Sequence, residues 1–243
     1  MPRYKCIISY DGHNYMGFQI QNELPTIELE LENAIYKFIG KEVKIYPSGR
    51  TDRGVHAKGQ VIHFDLENEI PPSGVKSGIN AFLPSDIYIK DVEIVNEDFH
   101  ARFSAKSKEY RYYINTGEYE PCKVNYMMFM NNLDVAKMKD AIKLLIGKHD
   151  FKGFASASID ERKDTVKEIY EAYIIENEHL LEFVFIGSGF LKYQIRRMMG
   201  ALVEIGRGKE TNDLILEVLD KKDPGISHKS LDGCGLVLVK VNY

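Results

Sequence analysis

Long hydrophobic runs are missing from this chain of 243 residues, although 44% of its residues are apolar. No apolar stretch approaches the roughly 20 residues that a membrane-spanning helix needs, and the opening segment MPRYKCIISYDG has no signal-peptide pattern. Cysteine is also scarce, since Cys6, Cys122 and Cys234 are far apart and form no CxxC pair. A disulfide framework or a cysteine zinc site is therefore not indicated. We expect a cytoplasmic protein, with no membrane association and with reduced, buried thiols.

An overall excess of positive charge is missing as well, because the formal net charge is −4 at pH 7. A nucleic-acid site needs only a local basic surface, however. Residues 102–111 and 190–209 each carry several lysines and arginines beside a single glutamate. These two segments are therefore the candidate nucleic-acid contacts.

The apolar content suffices to bury a substantial core, so a disordered chain is not expected. In the first half, one helix is predicted from Ile27, with Thr26 as its N-cap and Gly40 at its end. Other elements of this half are predicted as strands at 4–10, 43–46, 60–65 and 86–95 and a short helix at 74–84.

The second half repeats this alternation of strands and helices without a detectable sequence repeat. Asp134 is predicted to cap a helix that Gly147 ends. Further elements are predicted as strands at 108–115, 165–175, 179–188 and 235–243 and helices at 190–208 and 211–222. The pattern predicts an α+β fold of two α/β-sandwich halves, residues 1–103 and 104–243.

The segment SGRTDRGVHAKGQVIHFD, which starts at Ser48, crowds glycines and charges just before a predicted strand. If its backbone is extended, Arg50 and Asp52 lie on the same side and can pair. A neighbouring arginine keeps an aspartate ionised, and a carboxylate can serve as a nucleophile in covalent catalysis. On composition alone, a charged surface turn explains the segment better.

Five segments, in order, resemble the TruA family of tRNA pseudouridine synthases: YDGHNYMGFQIQ, GRTDRGVHAKGQVIHFD, INAFLPSDIYI, FHARFSAKSKEYRYYI and GSGFLKYQIRRMMGALVEIGRG. The resemblance covers almost the whole chain. It implies the pseudouridine synthase fold, with mainly antiparallel sheets joined around a central cleft that holds the active site. It also implies a homodimer that isomerises uridine to pseudouridine in the anticodon stem-loop of tRNA, at uridines 38–40. No cofactor is required, because the isomerisation involves no net oxidation.

The resemblance also implies residue roles. Asp52 matches the catalytic aspartate, and Arg50 its paired arginine, which helps to hold the target nucleotide out of its stack. Tyr110 matches the tyrosine that stacks on the target uracil and assists proton removal. Arg196 matches an arginine that forms a salt bridge with Asp52 or contacts a substrate phosphate. Further basic residues are predicted to bind the substrate: Arg53, His56, Lys58, Arg102 and Arg111.

The chain departs from the family pattern at four positions. Phe18 stands where relatives commonly have tryptophan, and Ile20 where an arginine follows. Arg53 replaces a frequent alanine, and Arg197 a frequent asparagine. These differences leave the catalytic set intact but bear on which uridines are modified, so a paralogue acting on other uridines is an alternative.

Two further functions fit parts of the sequence. An RNA-binding or RNA-folding module without turnover could use the same scaffold, although an intact set of Arg50, Asp52 and Tyr110 argues against it. A metal-dependent RNA hydrolase would need clustered acidic or histidine ligands, which the basic segments lack. A dinucleotide site after Gly187 is disfavoured, because Lys192 stands where the third glycine of the fingerprint belongs. The apolar run 126–130 is predicted as core, with a dimer interface as the alternative.

Overall fold

A computed structural model describes residues 1–22, 24–160, 162 and 164–243 of the chain. Its strands are β1 (Arg3–Tyr10), β2 (Tyr46–Pro47), β3 (His56–Asp65), β4 (Ile87–Val95), β5 (Ser107–Asn115), β6 (Met128–Phe129), β7 (Gly147–Asp150), β8 (Val166–Asn177), β9 (Leu180–Gly187) and β10 (Leu236–Asn242). Its α-helices are α1 (Ile27–Ile39), α2 (Pro72–Asn80), α3 (Val135–Lys143), α4 (Gln194–Gly206) and α5 (Asp213–Lys221). Most strand pairs are antiparallel, so the predicted α+β class is confirmed.

The chain divides into two compact units. The first unit contains Met1–Lys106 and Val237–Tyr243, and the second contains Ser107–Leu236. The sequence pattern placed the last strand with the second half. In the structure, β10 instead pairs in parallel with β3 of the first unit, a pairing between distant segments that local periodicity does not encode.

In the first unit, neighbouring strands follow the order β4, β1, β3 and β10. β1 is antiparallel to both β3 and β4, and its side chains alternate between half-buried and buried. This alternation is the period of two that the sequence shows between Tyr4 and Tyr10. β2 pairs with β3. The segment that links these two strands, residues 48–55, therefore begins and ends at neighbouring strands.

The predicted bounds of α1 are confirmed. Gly40 ends the helix with φ +78, and its N–H donates to the Tyr36 carbonyl at 2.7 Å. The predicted capping by Thr26 is wrong in detail, because its side chain makes no cap hydrogen bond. The Thr26 hydroxyl is buried and finds no partner within the described part of the chain. β2 lies later than the predicted strand at 43–46, and β3 begins at His56, earlier than predicted.

The second unit is built on the strand order β5, β9, β8 and β7, with all three pairs antiparallel. β6 adds to β5 in parallel. The side chains of Tyr112 on β5 and Phe183 on β9 are fully buried. Helix α3 packs against α4 and β8. The strands of this unit therefore hold β5, which carries Tyr110, against a large aromatic core.

Four predictions in the second unit have different outcomes. Asp134 caps α3 as predicted, because its Oδ1 accepts the Lys137 N–H at 3.1 Å. The prediction for Gly147 is wrong, since α3 ends at Lys143 and Gly147 begins β7 with φ +110. The helix predicted from residue 190 begins at Gln194. The run 126–130 is mostly half-buried rather than core, and it includes β6.

His63 on β3 makes the first unit sensitive to acid. Its ring is buried, and its Nδ1 accepts the Ala101 N–H at 3.1 Å, which requires an unprotonated nitrogen. Burial lowers the pKa of His63 to about 4, below the value of about 6.5 in an unfolded chain. Between these values the unfolded state binds more protons, so stability falls as the pH decreases through this range.

We therefore expect the wild type to lose more unfolding free energy between pH 6.5 and 4.5 than His63→Gln, as measured by urea unfolding at each pH. The exposed His13 offers a matched control, and His13→Gln should keep the wild-type pH dependence. Equal slopes for wild type and His63→Gln would show that His63 is not the group that titrates.

Candidate active site

Residues 48–55 form the loop between β2 and β3 that contains the predicted catalytic aspartate. The Val55 N–H donates to the Asp52 carbonyl at 3.2 Å, and Gly54 adopts φ +73. Asp52 is therefore the first residue of a tight turn. Its side chain is half-buried, whereas Arg50 is exposed.

The predicted ion pair between Arg50 and Asp52 does not occur in the described part of the chain. The prediction assumed an extended backbone, in which alternate side chains point to the same side. Residues 50–52 lie outside the strands, and the turn that the Val55 N–H closes begins only at Asp52. Arg50 therefore directs an exposed guanidinium to the surface of the first unit.

Gln60 on β3 holds the start of the loop. Its side chain is completely buried. The Oε1 atom accepts the Ser48 hydroxyl at 2.6 Å, and the Nε2 atom donates to the Gly49 carbonyl at 2.7 Å. Because a buried amide needs such partners, Gln60 and the loop stabilise each other.

Residues 10–18 support the loop from its other side. The Phe18 N–H donates to the Thr51 carbonyl at 3.0 Å, and the Tyr10 and Thr51 hydroxyls are hydrogen-bonded at 2.9 Å. Burial raises the pKa of Tyr10 to about 12, so this hydroxyl keeps its proton. Phe18 is fully buried, so the departure from tryptophan at this position changes the support of the loop rather than a surface available to RNA.

Gly17 allows a close approach of its backbone to the loop. It adopts φ +103, and a Cβ at this position would lie 2.9 Å from the Thr51 carbonyl oxygen. Gly40 has a similar φ of +78, but a Cβ there would have nothing within 4 Å. Both glycines therefore have a positive φ, but Gly17 lies against the loop and Gly40 does not.

We expect Gly40→Ala to cost about 1–2 kcal/mol of unfolding free energy, the strain of a left-handed alanine, and to leave activity unchanged. Gly17→Ala should cost a further ~1–3 kcal/mol because the methyl group must displace the loop, and it should lower activity. Urea unfolding and a uridine-modification assay measure the two effects. Equal stability and activity of the two variants would contradict a supporting role for Gly17.

The predicted phosphate contacts of the first unit differ in exposure. Arg53, Lys58 and Arg102 are exposed. His56 is buried, and its Nδ1 lies 3.0 Å from the Gly12 nitrogen and 3.1 Å from a carboxylate oxygen of Asp11. His56 therefore holds the turn after β1.

Tyr110 lies on β5 of the second unit and is largely buried. Its ring meets that of Phe190 edge to face, with centroids 5.4 Å apart. Such edge-to-face contacts restrain an aromatic ring. Phe190 therefore sets the orientation of the predicted catalytic tyrosine.

Arg196 lies in the first turn of α4 and is half-buried. Its Nε donates to the Leu231 carbonyl at 2.6 Å, and the Leu231 N–H donates to the Arg196 carbonyl at 3.0 Å. The segment that contains Leu231 thus holds both the backbone and the side chain of Arg196.

Two other arginines of the second unit are engaged in structural contacts. Arg111 forms ion pairs with Glu109 and Glu182 at 2.8 and 2.9 Å, and the hydrogen bond that it donates to Glu109 raises its pKa. Arg197 donates to the Pro224 carbonyl at 2.6 Å and to the Ser227 hydroxyl at 2.9 Å. With its charge already balanced, Arg111 is less suited to phosphate than Arg102.

The described residues include no group of three or more histidine, cysteine or acidic side chains that could hold a metal ion. None of the described helices is long and apolar enough to cross a membrane.

Sequence reasoning did not single out several residues that shape these sites: Tyr10, Gly17, Gln60, Phe103 and Phe190. All of them lie within the five segments that resemble the family. Phe103 is 77% exposed, and the Arg102 guanidinium lies 5.7 Å from its ring centroid. The sequence does not distinguish Phe103 from a core phenylalanine, because exposure is a tertiary property.

Comparison of the sequence with known proteins gives matches along most of the chain. A family model described as tRNA pseudouridine synthase matches residues 6–104 and 141–243. A protein of Geobacillus sp. (strain WCH70), named tRNA pseudouridine synthase A, is 43% identical over 99% of this chain and 98% of its own length. A protein of the same name from Anoxybacillus flavithermus is 42% identical over 100% of this chain and 99% of its own length.

A solved structure, a Cbf5-Nop10-Gar1 complex, is 12% identical over 82% of this chain and 54% of that chain, with a TM-score of 0.34. A likeness this slight adds nothing to the assignment. The family model spans the segments that contain Asp52 and Arg196, and the two relatives also span the segment that contains Tyr110. The chain therefore belongs to the tRNA pseudouridine synthase family and is an isomerase.

Proposed function

We propose that this enzyme converts uridine to pseudouridine in the anticodon stem-loop of tRNA, at uridines 38–40. The bond between ribose C1′ and uracil N1 breaks, the uracil turns within the site, and a new bond forms between C1′ and C5. The proton on C5 is released, and N1 takes up a proton. Reactant and product have the same composition, so the reaction needs no oxidant, and the uracil that leaves C1′ through N1 rejoins it through C5.

Asp52 supplies the covalent step as the nucleophile. The observation that carries this assignment is the support of the Asp52 loop by hydrogen bonds from Gln60 to Gly49 and from Phe18 to Thr51. Because these hydrogen bonds hold the loop on both sides, the Asp52 carboxylate keeps its position when the substrate binds. A fixed position lowers the entropic cost of the reaction. Attack at C6, attack at C1′ and removal of a ribose proton are all open to such a carboxylate.

Tyr110 stacks on the extruded uracil and assists removal of the C5 proton. Extruding a base costs a few kcal/mol, and stacking on an aromatic ring returns about 1–3 kcal/mol. The edge-to-face contact with Phe190 supports this role, because it fixes the ring before the substrate binds.

The exposed residues Arg50, Arg53, Lys58 and Arg102 bind phosphates of the RNA. Phe103, which is exposed beneath the Arg102 guanidinium, offers the pairing of an aromatic face with a cation that single-stranded RNA favours. The protein acts as a cytoplasmic homodimer, as the family resemblance implies.

The experiment is tritium release from unmodified tRNA labelled at uracil C5, carried out with a chelator present. Release by the wild type, followed by mapping of pseudouridine to positions 38–40, would establish the proposed function. Release from other positions would assign the chain to a paralogue with different target uridines. Binding of tRNA without any release would favour an RNA-binding module and overturn the proposal, and chelator-sensitive strand cleavage would indicate a hydrolase.

A further inference from the structure

Phe103 is a large apolar side chain that projects into solvent. Its exposed fraction of 77% is the highest among the exposed large apolar side chains of the described residues, and Phe82 of the same unit is 46% exposed. A single exposed apolar residue is ordinary at a protein surface. An exposed ring indicates a binding site only where its backbone is fixed and its surroundings fit a particular ligand.

The turn at residues 100–104, which presents Phe103, is fixed by hydrogen bonds of its own. The Arg102 and Phe103 N–H groups donate to the His100 Nδ1 at 3.1 and 3.4 Å. The Ser104 N–H donates to the His100 carbonyl at 2.9 Å, and the His100 N–H donates to the Ser104 Oγ at 3.0 Å. His100 therefore closes the turn through both its backbone and its ring.

Distant segments of the first unit hold the same turn. The Ala101 N–H donates to the His63 Nδ1 at 3.1 Å, and the Ala101 carbonyl accepts the Tyr243 hydroxyl at 2.7 Å. Just before the turn, the Phe99 carbonyl accepts the Arg3 Nη1 at 2.8 Å. Residues from β1, β3 and the end of the chain thus fix the backbone on which the exposed ring is carried.

Phe103 belongs to a series of neighbouring aromatic rings. Its centroid lies 4.4 Å from that of His100, and the His100 centroid lies 5.9 Å from that of Tyr46. Burial, with two arginines nearby, lowers the pKa of His100, so its ring is neutral at pH 7 and can accept the hydrogen bonds of the turn. Tyr46 belongs to β2, the strand that leads into the Asp52 loop. The rings therefore connect Phe103 to the strand before that loop.

Cations border these rings. The Arg102 guanidinium carbon is 5.7 Å from the Phe103 centroid, and the Lys44 Nζ is 5.6 Å from the Tyr46 centroid. Both distances are within the range of a cation–π interaction. Single-stranded RNA complements such a surface, because it presents the flat faces of unpaired bases beside negative phosphates. The charge of the border favours RNA over an uncharged apolar partner.

We propose that Phe103 stacks on an unpaired base of the RNA substrate, on a turn that is formed before the RNA binds. This inference rests on the proposed function, which makes RNA the substrate and assigns a phosphate to Arg102. It adds a base contact that selects unpaired nucleotides whatever their sequence, since every base has a flat face. A turn that is already ordered lowers the entropy that binding must remove.

The first test measures the Kd of unmodified tRNA for the wild type, Phe103→Trp, Phe103→Leu and Phe82→Leu. Leucine is apolar but lacks a flat ring, so Phe103→Leu should raise the Kd about tenfold. Phe103→Trp keeps a ring and should bind at least as tightly as the wild type. Phe82→Leu is the matched control and should have the wild-type Kd. A wild-type Kd for Phe103→Leu would overturn the inference, as would an equal loss in Phe103→Trp or Phe82→Leu.

The second test separates stacking from ionic contacts. Stacking releases no counterions, so Phe103→Leu should keep the wild-type slope of log Kd against log salt concentration, whereas Arg102→Gln should reduce the slope by about 0.7–0.9. A fully paired RNA duplex presents no unpaired base, so its Kd should be the same for the wild type and Phe103→Leu. A changed slope for Phe103→Leu, or weaker binding of the duplex, would contradict stacking on an unpaired base.

Two controls separate this inference from the proposed function. If the wild type releases tritium and Phe103→Leu binds tRNA as tightly, the inference alone is wrong. If the wild type binds no tRNA, the proposed function falls as well. Sedimentation of the free proteins tests whether a second copy of the chain covers the ring instead. A change of oligomeric state in Phe103→Leu would assign Phe103 to that contact and overturn the inference.

Discussion

Replacing Asp52 by asparagine is expected to lower the single-turnover rate of tritium release by about 10⁴-fold or more, the scale of losing a catalytic nucleophile. Asparagine has nearly the same size, so the turn that the Val55 N–H closes on the Asp52 carbonyl should persist. The amide lacks the negative charge that makes the carboxylate a nucleophile. The variant should therefore retain its fold and bind tRNA while losing turnover.

The matched control for this change is Asp91→Asn. Asp91 is an exposed residue of β4 in the same unit, so the control removes the same charge without touching the loop. Its rate should equal that of the wild type, and both variants should have similar Tm values. Turnover by Asp52→Asn at more than about a tenth of the wild-type rate would show that another group performs the covalent step.

Replacing Tyr110 by phenylalanine should lower kcat by about 10²–10⁴-fold, the usual contribution of a general acid or base. The ring remains and keeps its contact with Phe190, so stacking on the uracil should persist and KM should change little. Steady-state kinetics on labelled tRNA would separate the two constants. A rise in KM with kcat preserved would mean that the hydroxyl serves binding instead of proton transfer.

Tyr112 provides the control, because it lies two residues further along β5. Its hydroxyl donates to the Asp232 carbonyl at 2.8 Å, and its ring is fully buried. Tyr112→Phe should therefore cost about 0.5–1.5 kcal/mol of stability and leave kcat unchanged. If both variants lost kcat equally, the loss would reflect damage to the strand, and the catalytic role of Tyr110 would fall.

The amino-acid sequence alone determined several local elements of this protein. The bounds of α1 and its left-handed end at Gly40 follow from helical periodicity and from the conformational freedom of glycine. The cap of α3 by Asp134 and the alternation along β1 are equally local. The loop that is predicted to be catalytic could also be found from the sequence, because its order of residues resembles that of the family.

Only the tertiary structure decided how that loop is held and which arginines are exposed. The supports of the loop come from Phe18 and Gln60, and the pairing of β10 with β3 joins the end of the chain to the first unit. The expected pair of Arg50 with Asp52 does not form, and residues 50–52 are not part of a strand. Periodicity records only the interactions between neighbours in sequence, whereas a loop takes its conformation from hydrogen bonds and close packing with distant residues.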